Sequence, residues 1–324
     1  MSVEDGILAA LEGGDWRSGA EIARAAGVSR TAIWKKIEKL RRAGFSIEAA
    51  AGRGYRLRSG PDLLAAGVLQ PHLRPGRFGC EIVHREEVDS TNRLASELAR
   101  EGAPEGTVVI AESQTAGRGR LGRTWESPSH LNLYLSMVLR PGLAPVHITP
   151  IALVAAIGVV EAILETSGLA ATIKWPNDVL LSGRKVAGIL TEMDAEADRV
   201  RFVVLGIGVN LNASSRDFPP ELRRKASSLR IATRRRVDRV RFTAALIGAL
   251  EARYDTFLSG GFRSLRPVYE SHHSLVGRRV RAEEGRIAGT VLGVDDSGAL
   301  LLDTPEGRRA VAAGEVSLRG SYRT

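Results

Sequence analysis

With a single cysteine, Cys80, among 324 residues, the chain can form no internal disulfide and no cysteine-rich metal site, a usage that fits a reducing compartment. A secretory signal is lacking as well. The opening "MSVEDGILAALEGG" carries acids where a signal peptide carries bases, so a cytoplasmic protein is expected. No apolar stretch reads as a membrane span. The longest, "ITPIALVAAIGVVEAIL", is interrupted by Pro150, Gly158 and Glu161, is shorter than a span needs, and predicts a buried helix with no membrane partner. No internal repeat is visible, and a composition 44% hydrophobic and 26% charged is that of a soluble globular chain. What the chain has in excess is positive charge: 46 Lys and Arg against 37 Asp and Glu give +9, a balance that favours phosphate-bearing partners. The length exceeds one ordinary domain, and two or three are expected.

Part of that charge lies in the first sixty residues, which read as helix, helix, helix, hairpin. Val3 to Leu11 is a short apolar-rich helix, and "SGAE" at Ser18 to Glu21 is a capping box opening a second helix that ends at Gly27. Ser29 is placed to cap a third, in which Ile33, Ile37 and Leu40 form a stripe at i, i+4, i+7 that faces inward. Arg30, Thr31, Trp34, Lys35, Lys36, Lys39, Arg41 and Arg42 are left largely off that stripe. Two helices joined through "AAGVS", the second basic, make a helix-turn-helix, whose second helix enters the DNA major groove. "FSIEAAAGRGYRL" then supplies two short strands around Gly52, Arg53 and Gly54, the wing of a winged helix. A lone basic helix would be only a solvated face; here the whole order agrees, and Arg30, Thr31, Trp34, Lys35, Lys36 and Arg53 are the expected DNA contacts.

"LRSGPDLL" has the composition of a boundary and places this domain at 1–60. Beyond it strands and helices alternate. "CEIVHREEV", "GTVVIAES", "NLYLSMVL", "ATIKWPNDVLL", "RKVAGILTEM" and "RFVVLGIGVNLN" read as strands, and "STNRLASELAREG", the long apolar run and Val240 to Phe257 as helices. A mixed sheet with flanking helices is predicted over 61–273. From 274 to 324 short strands separated by "EEG", "DDSG" and "TPEG" turns predict a small β-barrel. The whole is a multidomain α/β (α+β) chain. The basic segment "RRRVDRVR", Arg234 to Arg241, reads as a solvated helix face, with docking of an acceptor as the other reading.

Two motifs carry chemistry. "GRGRLGRTW", Gly117 to Trp125, satisfies the dinucleotide-binding string GxGxxG but opens no helix, and no Asp or Glu occurs between Glu126 and Glu161 to hold a ribose. No Gly-Lys-Ser/Thr follows, which excludes a Walker loop. What remains is a glycine-rich loop gathering Arg118, Arg120 and Arg123, guanidinium forks suited to phosphate and carboxylate, expected to be mobile until an anion orders it. "KWPND", Lys174 to Asp178, adds a fixed backbone at Pro176, an apolar wall at Trp175 and opposite charges at Lys174 and Asp178. A surface ion pair in a turn is the bland reading of the latter.

"DSTN" at Asp89 to Asn92, "QTAGRGRLGRTW", "NLYLSM", "KWPNDVLLSGRKVAGILTE" and "GIGVNLN", in this order and at these separations, resemble the biotin protein ligases, and with the winged helix in front the chain is similar to their bifunctional ligase and operon-repressor form. The resemblance covers nearly the whole chain; Leu121 departs from it, standing where some relatives carry another arginine. It implies an SH3-like C-terminal barrel and an enzyme that joins the biotin carboxylate to the α-phosphate of ATP, with Mg2+. The acyl group then passes to a lysine of the biotin carboxyl carrier protein of acetyl-CoA carboxylase. No Cys/His or Ser/His constellation is needed, because two anions must be brought together and cations do that work. By motif match, Ser90, Thr91, Asn92 and Gln114 would hold the biotin rings. Arg118, Gly119 and Arg120 would close over biotin and the adenylate, with Lys174 beside the carboxylate and α-phosphate. Asn210 and Asn212 fall near the nucleotide, Arg319 matches a C-terminal position used with ATP, and Asp178 is metal-side or structural. Operator DNA and a ligand-promoted homodimer are the further partners implied. A biotin-sensing repressor without catalysis, and a ligase for another acid such as lipoate, stay open on the sequence.

Overall fold

The computed structural model describes residues 3–11, 14–42, 45–59, 62–196, 198–282, 286–312, 314 and 316–318. The first helices are α1 (Val3–Leu11), α2 (Gly19–Ala26) and α3 (Arg30–Arg42). Ser18 caps α2 as a capping box: Glu21 N–H donates to Ser18 Oγ at 3.3 Å and Ser18 N–H to Glu21 Oε2 at 2.8 Å. Ile33, Ile37 and Leu40 are buried with Ile7, Leu11 and Ile22, so the periodic stripe does face inward and the basic residues are left outside. Strands β1 (Ser46–Ala50) and β2 (Gly54–Ser59) pair antiparallel as the expected wing. Next to its turn the wing is stitched to the segment before α2 by Arg17 and Tyr55, each donating its N–H to the other's carbonyl at 2.8 Å. Only glycine fits at position 54, where φ is +91° and a Cβ would stand 2.1 Å from Arg17 O.

After α4 (Ala66–Leu69) come β3 (Ile82–Val88), α5 (Thr91–Arg100), β4 (Val108–Gln114), β5 (Leu133–Leu139), α6 (Ile151–Ser167), β6 (Thr172–Lys174), β7 (Asp178–Leu181), β8 (Arg184–Ala195), β9 (Val200–Val209), α7 (Leu229–Thr233) and α8 (Arg239–His272). The strands form one seven-stranded mixed sheet in the order β3-β4-β5-β9-β8-β7-β6, in which only β3 and β4 run parallel. Every residue of β5 is buried, as befits a central strand covered on both faces. The segment Pro145–Ser167, 23 residues, is long and apolar enough to cross a bilayer, contrary to the sequence reading; 72% of that apolar window is buried inside the fold, mostly against α8 and the sheet, and α6 is a core helix.

The stretch expected as one strand over 171–181 is instead a hairpin: β6 and β7 pair antiparallel with Lys174 opposite Asp178, and the Trp175–Pro176 peptide at its tip is cis. Trp175 is buried and its Nε1 donates to Gly298 O at 3.0 Å, docking the C-terminal segment on the seven-stranded sheet. There β10 (Arg279–Ala282), β11 (Ile287–Val294), β12 (Leu300–Thr304), β13 (Gly307–Val311) and β14 (Val316–Leu318) make a five-stranded antiparallel sheet, ordered β13-β12-β11-β10-β14.

The segment Arg234 to Arg241 departs from a solvated face, because Arg239 is fully buried. Its guanidinium donates to Asp62 Oδ1 at 2.6 Å, Glu112 Oε2 at 2.8 Å and Asn132 O at 3.0 Å, and also reaches Asp62 O. Glu112, equally buried at the end of β4, further accepts from Leu64 N–H at 2.9 Å and pairs with His84 Nε2 at 3.1 Å. Burial pushes the Glu112 carboxyl up, but the His84 hydrogen bond, the Arg239 charge and the Leu64 amide outweigh it and hold the group at about 2. The connector leaving the wing is thereby tied to the sheet and to the start of α8. Arg239→Met would strand two carboxylates and is expected to cost about 3–5 kcal/mol in urea unfolding at pH 7. Because Glu112 sits below its ordinary 4.5, its contribution is complete above about pH 4.5 and fades as pH falls toward 2, so the deficit should shrink in acid. A deficit under about 1 kcal/mol at pH 7, the range of a surface pair, would show that the pair anchors nothing.

Candidate functional site

One pocket opens on the sheet face that α5 also covers. Val204 packs beneath α5, and the alternation along β9 turns Gly206 and Gly208 to the same side. Those glycines make a bed without side chains. A Cβ on Gly208 would stand 2.5 Å from the Trp125 ring, one on Gly188 of β8 2.9 Å from it, and one on Gly206 2.0 Å from Asn92 Oδ1. The indole therefore lies directly on the backbone of two strands, walling an apolar slot that Leu190, on the same face, shares with it.

At one end Ser90, Thr91 and Asn92, all buried at the start of α5, meet Gln114 from the end of β4. Thr91 N–H and Oγ1 donate to Gln114 Oε1 at 2.9 and 3.1 Å, and Gln114 Nε2 donates to Ser127 Oγ at 3.0 Å. Ser136 of β5 lies within 2.8 Å of Thr91 Oγ1 and 2.6 Å of Asn92 Oδ1. The amide of Asn92 donates to Glu192 Oε2 at 2.7 Å. This end offers donors and acceptors fixed by one another.

The other end is cationic. The loop is closed by Gly119 N–H on Arg123 O at 2.6 Å and Trp125 N–H on Gly117 O at 2.9 Å. Arg118, Gly119 and Arg120 line the pocket, and Arg123 lines a neighbouring depression with Leu121 and Glu192. Arg118 Nη2 reaches Glu192 Oε2 at 2.9 Å and Arg120 Nη1 reaches Asn177 Oδ1 at 3.4 Å. Seven of the expected residues are thus gathered here: Ser90, Thr91, Asn92, Gln114, Arg118, Gly119 and Arg120.

Three are not. Lys174, at the end of β6, does not line the pocket; the lysine that does is Lys185 of β8, 5.3 Å from the centroid of the Trp125 ring and 2.6 Å from Asp178. Both lysines stand on the pocket's side of the sheet, since Lys174 pairs with Asp178, Asp178 with Gly188 and Gly188 with Gly208, but it is Lys185 that reaches the lining. Asn210 is buried away from the lining, with Nδ2 on Ser227 O at 3.0 Å, and Asn212 braces Val237. Arg319 lies outside the described residues. Asp178 is held by Lys185, and among the described residues no three His, Cys, Asp or Glu side chains gather into a metal site. Sequence reasoning also passed over Asn177, Ser136, Glu192 and the glycine bed. The bed had a signal, since glycines two apart in a strand face one way.

In the first domain Arg30, Thr31, Trp34, Lys35 and Arg53 are exposed and Lys36 is half-buried. Trp34 is 59% exposed, uncommon for an indole without a partner surface. Arg53 and Arg56 hold their guanidiniums 4.8 and 4.7 Å from the centre of the Trp16 ring, bracing the wing.

The Biotin/lipoate A/B protein ligase family matches residues 85–210, a helix-turn-helix domain family residues 6–56, and the biotin protein ligase C-terminal domain family residues 275–319. The bifunctional ligase/repressor BirA of Bacillus spizizenii is 41% identical over 309 residues, 94% of this chain and 95% of that one, and BirA of Escherichia coli 33% identical over 317 residues, 97% of each. Among solved structures, the biotin protein ligase of Aquifex aeolicus in complex with biotin and ATP aligns with a TM-score of 0.65 at 31% identity, over 74% of this chain and 99% of that one. With the arginine loop, the glycine bed and the helix-turn-helix all present in one chain so similar to these, the protein belongs to the biotin protein ligase family.

Proposed function

We propose that this chain is an ATP-dependent biotin protein ligase that forms biotinyl-5'-AMP, passes biotin to a lysine of a biotin carboxyl carrier protein, and acts as a biotin-responsive repressor. The observation that carries the reading is the order of the pocket: a hydrogen-bonding end, an apolar slot, and three cations, Arg118, Arg120 and Lys185. Biotin has that order, with a ureido ring, an apolar chain and a carboxylate. The polar end favours it over lipoate, whose dithiolane offers no donors and no strong acceptors to that end. The retained cations favour catalysis over sensing alone.

The carboxylate oxygen attacks the α-phosphorus of ATP, the bond to the β-phosphate oxygen breaks, and pyrophosphate leaves. Approach of two anions is the obstacle. Fixed guanidinium and ammonium groups reduce it most where charge concentrates on the pentavalent phosphorus. Lys185, which lines the pocket against Trp125, is assigned this role together with Lys174, which stands on the same face of the sheet. The carrier lysine then attacks the acyl carbon and AMP leaves. Since the described residues form no metal cluster, Asp178 is assigned to positioning Lys185, and Mg2+ would arrive with the nucleotide's own phosphates.

Domains of 1–60, 61–273 and 274–324 are proposed, the last closing as an SH3-like barrel whose Arg319 serves ATP. A single winged helix offers few contacts, so operator binding is assigned to a homodimer promoted by the adenylate.

Incubated with biotin, MgATP and a carrier domain, the protein should add a biotinyl mass to the carrier, and Lys185→Ala should lower biotin-dependent ATP–pyrophosphate exchange by roughly ten- to a hundredfold, more than it weakens biotin binding. Lys174→Ala should lower exchange as well; unchanged exchange in either variant removes that lysine from the role. In gel shifts on the promoter of its own biotin-synthesis genes, binding should strengthen with biotin and MgATP. Replacing Lys35 and Lys36 with Ala should weaken the shift and flatten its salt dependence while turnover is kept. No shift under any ligand condition removes the repressor half.

A further inference from the structure

We propose that Glu192 is the resident counter-anion of the arginine loop: it holds Arg118 from the depression beside the pocket in the empty chain and yields it to the carboxylate of the incoming acid. The inference rests on the ligase reading and adds a residue to it. A carboxylate at the cationic end of a pocket built for anions is otherwise a liability, since it repels the ligand. Its geometry gives it a use. Glu192 Oε2 accepts from Arg118 Nη2 at 2.9 Å and from Asn92 Nδ2 at 2.7 Å, so one oxygen joins the loop to the buried start of α5.

The two partners differ in how firmly they are held. Asn92 is buried, and its Oδ1 is engaged by Ser136 Oγ at 2.6 Å against the bare backbone of Gly206. The Arg118 and Glu192 side chains are 48% and 36% exposed, so water can replace either partner as the pair opens, and the exchange costs little. When an acid takes Arg118, Glu192 keeps its bond to Asn92, and the hydrogen-bonding end retains one arrangement before and after binding. Asp178 does the corresponding service for Lys185, at 2.6 Å, but from within the β7 register rather than from across a loop.

The pair therefore taxes only ligands that carry an anion. Two variants separate its parts: Glu192→Gln removes the charge but still accepts from Asn92, and Glu192→Ala removes both. Binding is measured by calorimetry with biotin and with biotinol, its neutral alcohol, and the loop is probed by trypsin cleavage after Arg118 without ligand. Glu192→Gln should bind biotin about two- to fivefold tighter, leave biotinol within about twofold, and be cut faster at Arg118. Glu192→Ala should weaken biotinol, because the Asn92 amide loses its acceptor. Faster cleavage distinguishes a released latch from simple relief of repulsion. Equal shifts for biotin and biotinol in Glu192→Gln, or an unchanged rate of cleavage, overturn the inference. Failure of the unaltered chain to bind biotin removes the ligase reading and this inference together.

Discussion

The buried guanidinium of Arg239 is the point through which the connector, the sheet and the long C-terminal helix meet. A charge with no exposure persists only if every direction of its fork is answered, and Glu112, Asp62 and Asn132 answer it from three separate elements. Two residues beyond Glu112 on the same strand, Gln114 holds Thr91 at the ring end of the pocket. Asn132 leads into β5, which supplies Ser136 to the same end. The hydrogen-bonding half of the site is thus an extension of the network that fastens the connector.

The cationic half is built on another basis. It stands on a loop and on β8, its arginines are partly exposed, and each cation has an acceptor of its own within the chain. A rigid polar end and an adaptable charged end suit the proposed ligand, whose negative charge moves during the reaction from the carboxylate to the phosphate of the adenylate. The halves meet at Glu192 Oε2, which accepts from Asn92 of one and Arg118 of the other, while Trp125 lies on glycine backbone beside them.

Much of this was legible in the sequence. The capping box at Ser18, the i, i+4, i+7 stripe of α3 and the Gly52 to Gly54 turn specify the winged helix through local rules, and the structure follows them. The order of motifs likewise gathers Ser90 through Asn92, Gln114 and the first two loop arginines. What was not legible depends on facing. Lys174 and Lys185 have equal claims in one dimension; the hairpin brings both to the pocket's side of the sheet, and only in three dimensions does Lys185 reach the lining. The burial of Arg239 was hidden for the same reason. A run of arginines states a charge, not a direction, and its partners Asp62 and Glu112 lie 177 and 127 positions earlier in the chain.

The stacking of Arg53 and Arg56 on Trp16 has a consequence for the wing itself. An arginine at the tip of a free hairpin must surrender rotamer and backbone entropy when it grips a phosphate, and that loss is subtracted from its electrostatic gain. Here the indole and the Glu48 carboxylate, which accepts from Arg56 Nη2 at 2.7 Å, have already restricted both the strand and its side chains. The wing meets its partner pre-shaped, and the aromatic residue responsible lies outside both the hairpin and the recognition helix.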